Sequence, residues 1–432
     1  MSTWRNWSGL ESSSPSAVIE PQGPDDVAAL VRRAAASGMT LKPAGTGHSF
    51  TGIANPGTGL QLAPGPSGIV AVDRDAMTVT AYAGTRLATL NTLLEGLGLS
   101  LHNMGDIAEQ TLAGAISTGT HGTGGRVASI AAQVVGLSLV TGSGEVLTCS
   151  TDEHSDILEH ARLGLGALGV ITTVTFAVEP FFALEANERP MAWGPFIDGF
   201  DDLVAGADHV DAYWFPHTDR LLTKSNTRRP LDALAPLPRW RAWFDDSFLQ
   251  NTAFGALVAA ANHRPQVIPR MNRMNAHLLS ARTYTDVAHR VFTTQRRVVF
   301  REMEYAVPRA DGLAVLRECR RLIDSSGLTI SFPVELRVAP ADDLPLSTAT
   351  GRDSFYLAFH TPRDMDHRAY FALVEPVLRA AGGRPHWGKL HTLGARDLAA
   401  AYPRFGEFLA MRDRLDPERI FTNEYLTRVL GP

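Results

Sequence analysis

The chain has 432 residues, 44% hydrophobic and 20% charged, a balance that excludes a disordered protein and allows two or three domains with a sizeable buried core. Forty basic against 45 acidic residues leave a net charge of −5, which gives no electrostatic reason to expect a nucleic-acid partner. The two cysteines, Cys149 and Cys319, are too few and too far apart for a disulfide framework and read as reduced, partly buried thiols of a cytoplasmic protein.

The N-terminus, Met1 to Trp7, lacks the basic-then-apolar order of a secretory signal, and no run reaches the roughly 18 apolar residues of a membrane span. The most apolar stretch, Ala253 to Ala261, reads as a core helix. Val18-Ile19-Glu20 predicts a short strand. Asp25 then predicts the cap of a helix whose apolar positions (Val27, Leu30, Val31, Ala34) recur at helical spacing and which stops at Gly38. Thr40-Leu41-Lys42 starts a second strand. It runs into Pro43-Ala44-Gly45-Thr46-Gly47-His48-Ser49, which packs two glycines, two hydroxyls and a histidine into one loop. A second unit follows, with a strand over Met77 to Tyr82 and a helix from about Leu87 to Gly96. The two units together suggest one nucleotide-holding layer.

A second loop, Thr118-Gly119-Thr120-His121-Gly122, repeats the donors and the steric clearance of the first. A pyrophosphate needs backbone N–H groups at close range, and glycine admits it. Val134 to Val140 and Val146 to Thr148 predict a hairpin turning at Gly142-Ser143-Gly144, and Ile171 to Phe176 a further strand. Gly164 to Gly169 fits the G-x-G-x-x-G dinucleotide pattern, but β-branched residues follow it where a nicotinamide fold requires a helix. Near Pro180 the composition shifts, and Arg220 to Trp243 reads as a long irregular connection. Val334 to Val338 alternates as a strand, which puts Glu335 and Arg337 on one face. Gly383 to His391 reads as a polar loop holding His386 and Lys389. No zinc-spaced pair, H-E-x-x-H, Walker A loop or nucleophile elbow appears, so no metal is expected.

Together, Gly-Thr-Gly-His-Ser at 45–49, Thr-Gly-Thr-His-Gly at 118–122, Glu-x-Arg at 335–337, His-Trp-Gly-Lys at 386–389 and the tail from Leu415 to Asn423 resemble the sugar-lactone branch of the vanillyl-alcohol-oxidase flavoproteins. That branch holds the aldonolactone oxidases and dehydrogenases and the related alditol oxidases. The resemblance implies an α+β fold: a two-part PCMH-type FAD-binding domain (1–180), a cap or substrate domain on an antiparallel sheet (181–385), and a C-terminal segment (386–432) returning to the flavin site. It implies FAD, tethered through His48, with Pro43, Ala44, Gly45, Thr46, Gly47, Ser49, Gly105, Asp106, Thr111, Gly114, Thr118, Gly119, Thr120, His121, Ile171 and His386 as cofactor contacts. Glu335, Arg337 and Lys389 match the catalytic polar cluster, with Asp106 and His360 also on the substrate side.

The implied reaction oxidises the C2 hydroxyl of an aldono-1,4-lactone, with O₂ reduced to H₂O₂. Gly105 matches a position beside the flavin where a small residue admits oxygen. The alternatives are an alditol oxidase, for which Asp106 departs from the expected serine, and a lactone dehydrogenase with another acceptor. A non-catalytic sugar or nucleotide binder has no need of Lys389.

Overall fold

In a computed structural model, which describes residues 3–126, 128–242, 255, 263–294 and 297–432, three sheets organise the chain. The run Ala253 to Ala261 lies outside the described residues apart from Gly255. The first sheet is small and parallel, in the order Ala17–Ile19, Leu60–Leu62, Leu41–Pro43. Helix Pro24–Ala36 crosses over it, burying Val27, Ala28, Val31 and Ala34. Gly23 is the N-cap, and Asp25 lies inside the first turn beside Asp26, where the carboxylates favour the positive end of the helix dipole. The expected Asp25 cap is corrected accordingly: Pro24, which has no N–H to satisfy, opens the helix.

The second sheet is antiparallel, in the order Val146–Ser150, Val134–Val140, Val170–Ala177, Thr78–Tyr82, Ile69–Asp73. The predicted hairpin and the Val170 strand are both here. The single layer expected for the two N-terminal units is not. Thr78–Tyr82 follows Ile69–Asp73 across a short turn, which forces antiparallel pairing, so the strand belongs to this sheet and not to the parallel one. Among the described residues, no helix is long and apolar enough to cross a membrane.

The third sheet has eight antiparallel strands: Arg282–Val287, Ala183–Ala192, Arg220–Arg229, His209–Trp214, Val334–Ala339, Ser354–Pro362, Phe300–Pro308 and Arg384–Pro385. The irregular connection expected from Arg220 is therefore corrected, because its first ten residues form a strand. Its polar composition hid it: Lys224 and Asn226 belong to the sheet's polar face. On the other face Leu336, Leu357, Phe359, Met303 and Tyr305 pack under helices Trp193–Ala205, Gly312–Ser326 and Arg368–Ala380 in the main core. One sheet face is thus apolar and helix-covered, and the other is left for chemistry.

The chain end returns to the N-terminal sheets. Leu41 N–H donates to Ile420 O at 2.8 Å, Gly142 N–H to Leu415 O at 2.8 Å, and Asn423 Nδ2 reaches the carbonyls of Gly52, Ile53 and Asn55. Lys42, fully buried, donates to Gly166 O and Phe421 O, which ties the first loop's root to both partners.

Candidate active site

The first loop borders a cleft of about 1250 Å³ of empty space, counting its opening to solvent. Pro43 to Ser49, Thr111, Gly114, Thr118 and Ile171 line it, together with Pro64 to Pro66 and Tyr82 to Gly84. Ala44 N–H donates to Leu62 O and Phe50 N–H to Gly388 O. The five N–H groups between them, Gly45 to Ser49, have no acceptor among the described residues. Successive free amides on a concave surface make an anion cradle. Gly45 is needed there because a Cβ on it would stand 2.5 Å from Thr111 Oγ1, the oxygen that caps helix Leu112–Ser117 through Gly114 N–H.

The second loop behaves differently. Thr118 reaches the cleft, whereas Gly119, Thr120 and His121 are absent from its lining. Gly119 N–H and Thr120 N–H are spent on Ile116 O and Ala115 O, and the Thr120 hydroxyl pairs with Gln110. Gly105 packs on this loop, where an added Cβ would come within 2.9 Å of Thr120 Cγ2. Asp106 accepts from Thr294 Oγ1 at 2.8 Å, and neither Gly105 nor Asp106 lines the cleft.

His48 lines the cleft and stacks on Trp7 with ring centroids 5.6 Å apart. Neither of its nitrogens has a hydrogen-bond partner among the described residues. Burial, aided by Lys389 and Arg86 against Glu109, holds its pKa below the ordinary value and the ring neutral. Its neighbours lead out of the cleft: Thr51 Oγ1 donates to Trp387 O, and Lys389 Nζ lies 5.0 Å from the Phe50 ring centroid. The cleft therefore abuts the segment 386–389 and, through it, the polar face of the large sheet.

On that face the strand register gathers charge. Directly opposed residues share a face, and the row Arg282, Glu188, Lys224, Asp211, Arg337 alternates in sign across five strands. In the next row Glu335 and Glu304 both stand opposite Ala358, and beyond it Glu302 stands opposite His360. Arg337 Nη2 donates to Glu335 at 2.6 Å, as the two-residue spacing predicted. Lys389 Nζ pairs with Glu302, whose other oxygen lies 3.6 Å from His360 Nε2. Burial opposes the Glu302 charge, but Lys389 and His360 override it and hold the carboxyl well below the usual range.

Glu304 is likewise held well below the usual range by His121 despite burial. His121 Nδ1 faces Gly122 O at 2.9 Å and Nε2 faces Glu304 at 3.1 Å. Both partners are acceptors, and the ring bridges them. His386 completes a cluster whose ligating atoms lie within 4.8 Å of one another. Its Nδ1 accepts Gly388 N–H at 3.0 Å, and burial lowers its pKa to about 3. The ring is therefore neutral with its proton on Nε2, suited to donating to Glu304 and not to binding a cation.

The sequence alone does not single out Glu302, Glu304 and Asp211. Their signal was a carboxylate at alternate or isolated positions of an otherwise apolar strand, as in Phe300-Arg301-Glu302-Met303-Glu304-Tyr305.

Comparison with known proteins accords with this arrangement. Residues 174–429 match the family model of D-arabinono-1,4-lactone oxidase, and residues 15–150 match that of an FAD binding domain. The L-gulono-1,4-lactone dehydrogenase of Mycobacterium tuberculosis strain H37Rv is 39% identical over 429 residues, 99% of each chain. The L-gulonolactone oxidase of Bos taurus is 30% identical, over 99% of this chain and 98% of that one. The solved cholesterol oxidase of Brevibacterium sterolicum shares the fold, with a TM-score of 0.80 at 18% identity over 100% of this chain and 96% of that one. FAD, which these matches imply, fits the residues present: five free amides suit its pyrophosphate, and a glycine keeps the cradle clear. The chain belongs to the D-arabinono-1,4-lactone oxidase family, FAD-dependent aldonolactone oxidases and dehydrogenases with a PCMH-type FAD-binding fold.

Proposed function

We propose that this enzyme oxidises the C2 hydroxyl of an aldono-1,4-lactone of the arabinono or gulono type to the 2-keto lactone, which enolises to an ene-diol. The observation that carries this reading is the paired polar face beside the cleft, where Arg337 and Lys389 stand with their carboxylate partners within a family of lactone-oxidising enzymes. FAD held by Pro43 to Ser49, Thr111, Gly114, Thr118 and Ile171 supplies a hydride acceptor. Lys389 and Arg337 stabilise negative charge developing on the substrate oxygen, and Glu335 orients Arg337 and a ring hydroxyl. His360, with Nδ1 donating to Pro333 O at 3.1 Å, turns Nε2 towards Glu302 on the same face and so helps to set that carboxylate beside the substrate. On this reading residues 1–180 hold the cofactor, 181–385 the substrate, and 386–432 close the site between them.

His48 is proposed as a covalent tether, supported by its neutral ring and unpartnered nitrogens on the cleft wall. Acid precipitation is expected to retain yellow colour in the pellet, and His48→Ala to release it; free FAD from the unmutated protein sinks the tether. O₂ is proposed as the acceptor because Gly105, which the family resemblance matches to a position beside the flavin, carries no side chain there. A dehydrogenase is the second reading, favoured by the name of the 39% identical relative. A peroxide-coupled screen of aldono-1,4-lactones and alditols in air, repeated anaerobically with a dye, separates them. Lactone turnover with peroxide supports the oxidase. Turnover with the dye alone supports the dehydrogenase, and turnover of alditols alone rejects the lactone reading.

A further inference from the structure

Arg337 is gripped twice. Glu335, two residues away on its own strand, takes Nη2 at 2.6 Å, and Asp211, opposite it on strand His209–Trp214, takes Nε at 3.1 Å. These two hydrogens form one edge of the guanidinium plane. With that edge occupied by two separate carboxylates, the Nη1 hydrogens and the second Nη2 hydrogen are left as the free edge. Nη1 has no partner among the described residues. One carboxylate alone would let the planar group turn about its last side-chain bonds, whereas two at different points of the edge fix the plane.

We propose that Asp211 is a positioning residue for the reaction: it fixes the guanidinium plane of Arg337 so that the free edge meets the oxygen of the bound lactone. The role rests on the lactone-oxidising function proposed above. The surroundings of Asp211 are built for a retained carboxylate. Lys224 is its cross-strand neighbour on the other side, with Nζ anchored to Val291 O at 2.7 Å, and beyond it come Glu188 and Arg282, paired at 2.7 Å. The Asp211 side chain is 14% exposed and that of Arg337 12%, so neither charge is screened by bulk water.

Among the described residues, the charged groups facing Asp211 are Arg337 and Glu335 from the strand on one side, Lys224 from the strand on the other, and Asp106 from the loop. Burial first, then Glu335 and Asp106 against Arg337 and Lys224, bring its pKa up to about 6. The grip is therefore complete above that pH and loosens as pH falls through it.

The test compares Asp211→Ala and Asp211→Asn with the wild-type holoenzyme. Asp211→Ala is expected to lose about 100-fold in kcat/KM, mostly in kcat, with FAD content retained, because the catalytic donor is misaimed and not removed. Asp211→Asn keeps an acceptor on Nε, so it is expected to lose about tenfold or less and to lack the acidic limb of the pH profile seen in the wild type near pH 6. Added formate restores part of the Asp211→Ala turnover. Unchanged kcat/KM and pH profile in both variants overturn the proposal.

A second measurement does not depend on the substrate. In a crystal structure of Asp211→Ala the guanidinium is expected to leave its plane while the strand stays in place, and an unmoved Arg337 overturns the proposal equally. Failure of the wild type itself to turn over any lactone would count against the function and leave this structural arm to decide the role of Asp211.

Discussion

The cleft and the sheet face solve the same problem, recognition of a polar molecule, with opposite materials. The cleft works with main chain: amides from Gly45 to Ser49, a cap at Thr111, and glycine where a methyl group would intrude. The sheet face works with buried polar and charged groups, strand carboxylates each set against a basic partner from another element: Asp211 with Arg337, Glu302 with Lys389, Glu304 with His121. Main-chain donors are fixed once the loop is fixed, whereas buried ion pairs hold only as long as both members remain. The cleft should therefore be sensitive to added bulk and the sheet face to lost charge.

The largest expected effect tests the second half of that contrast. Lys389→Ala removes the cation that faces both Glu302 and the first loop's exit, and turnover is expected to fall by about 10²–10³-fold. FAD content should be unchanged, because Lys389 is not on the cleft lining. Steady-state kinetics and the flavin spectrum check both halves; loss of FAD with the lysine would merge the two regions into one.

This contrast also explains what could be read from the sequence. The amide cradle of the cleft was legible because its parts are consecutive: a loop of glycines and hydroxyls leaving a strand carries its meaning locally. Glu335 and Arg337 were legible because strand alternation needs two residues of spacing and nothing more. Glu302, Glu304 and Asp211 were not, since their partners are fixed by register among strands far apart in sequence, and a single carboxylate in an apolar run looks like an edge or a turn. The strand Arg220–Arg229 was missed for a related reason, its polar face having the composition of a loop. The second loop was legible as a motif but not in its use of donors, because whether Thr120 N–H is free depends on the helix turn that Ala115 closes.

An intermediate effect is expected where the two regions are joined. Glu179 lies on the short strand paired with Leu99–Ser100, and Arg228 of the large sheet grips it with both guanidinium nitrogens, at 2.6 and 2.8 Å, while His102 adds a contact at 3.0 Å. Burial alone would raise its pKa, but the His102 and Arg228 hydrogen bonds override it and bring the value down to about 2 from 4.5. A depressed carboxylate stabilises the fold above its unfolded pKa and loses that contribution as pH falls through its folded pKa. The wild type should thus lose on the order of 3 kcal/mol between about pH 5 and pH 2 from this group. Glu179→Gln should be less stable at pH 7 by a similar amount and should show a shallower acid loss in urea titrations. Equal slopes would mean that the joint between cleft and sheet does not rest on this charge.

The smallest effect sharpens the first half of the contrast. Gly45→Ala adds one methyl group to the cradle, and its Cβ meets Thr111 Oγ1 at 2.5 Å, so Thr111 must rotate or the loop must shift. Rotation forfeits the cap on Gly114 N–H, a loss of about 1 kcal/mol, and a shifted loop misaligns amides that have no other acceptor. In a His48→Ala background, where a covalent bond cannot mask affinity, the Kd for FAD should rise by about tenfold, the equivalent of some 1.4 kcal/mol. kcat at saturating FAD should remain close to that of the background, because no group on the sheet face has moved. Titration of the apoprotein by flavin fluorescence reads the first quantity and turnover with added FAD the second. A fall in kcat with an unchanged Kd would reverse the division of labour, making Gly45 a residue that aims the chemistry and not one that clears space for the cofactor.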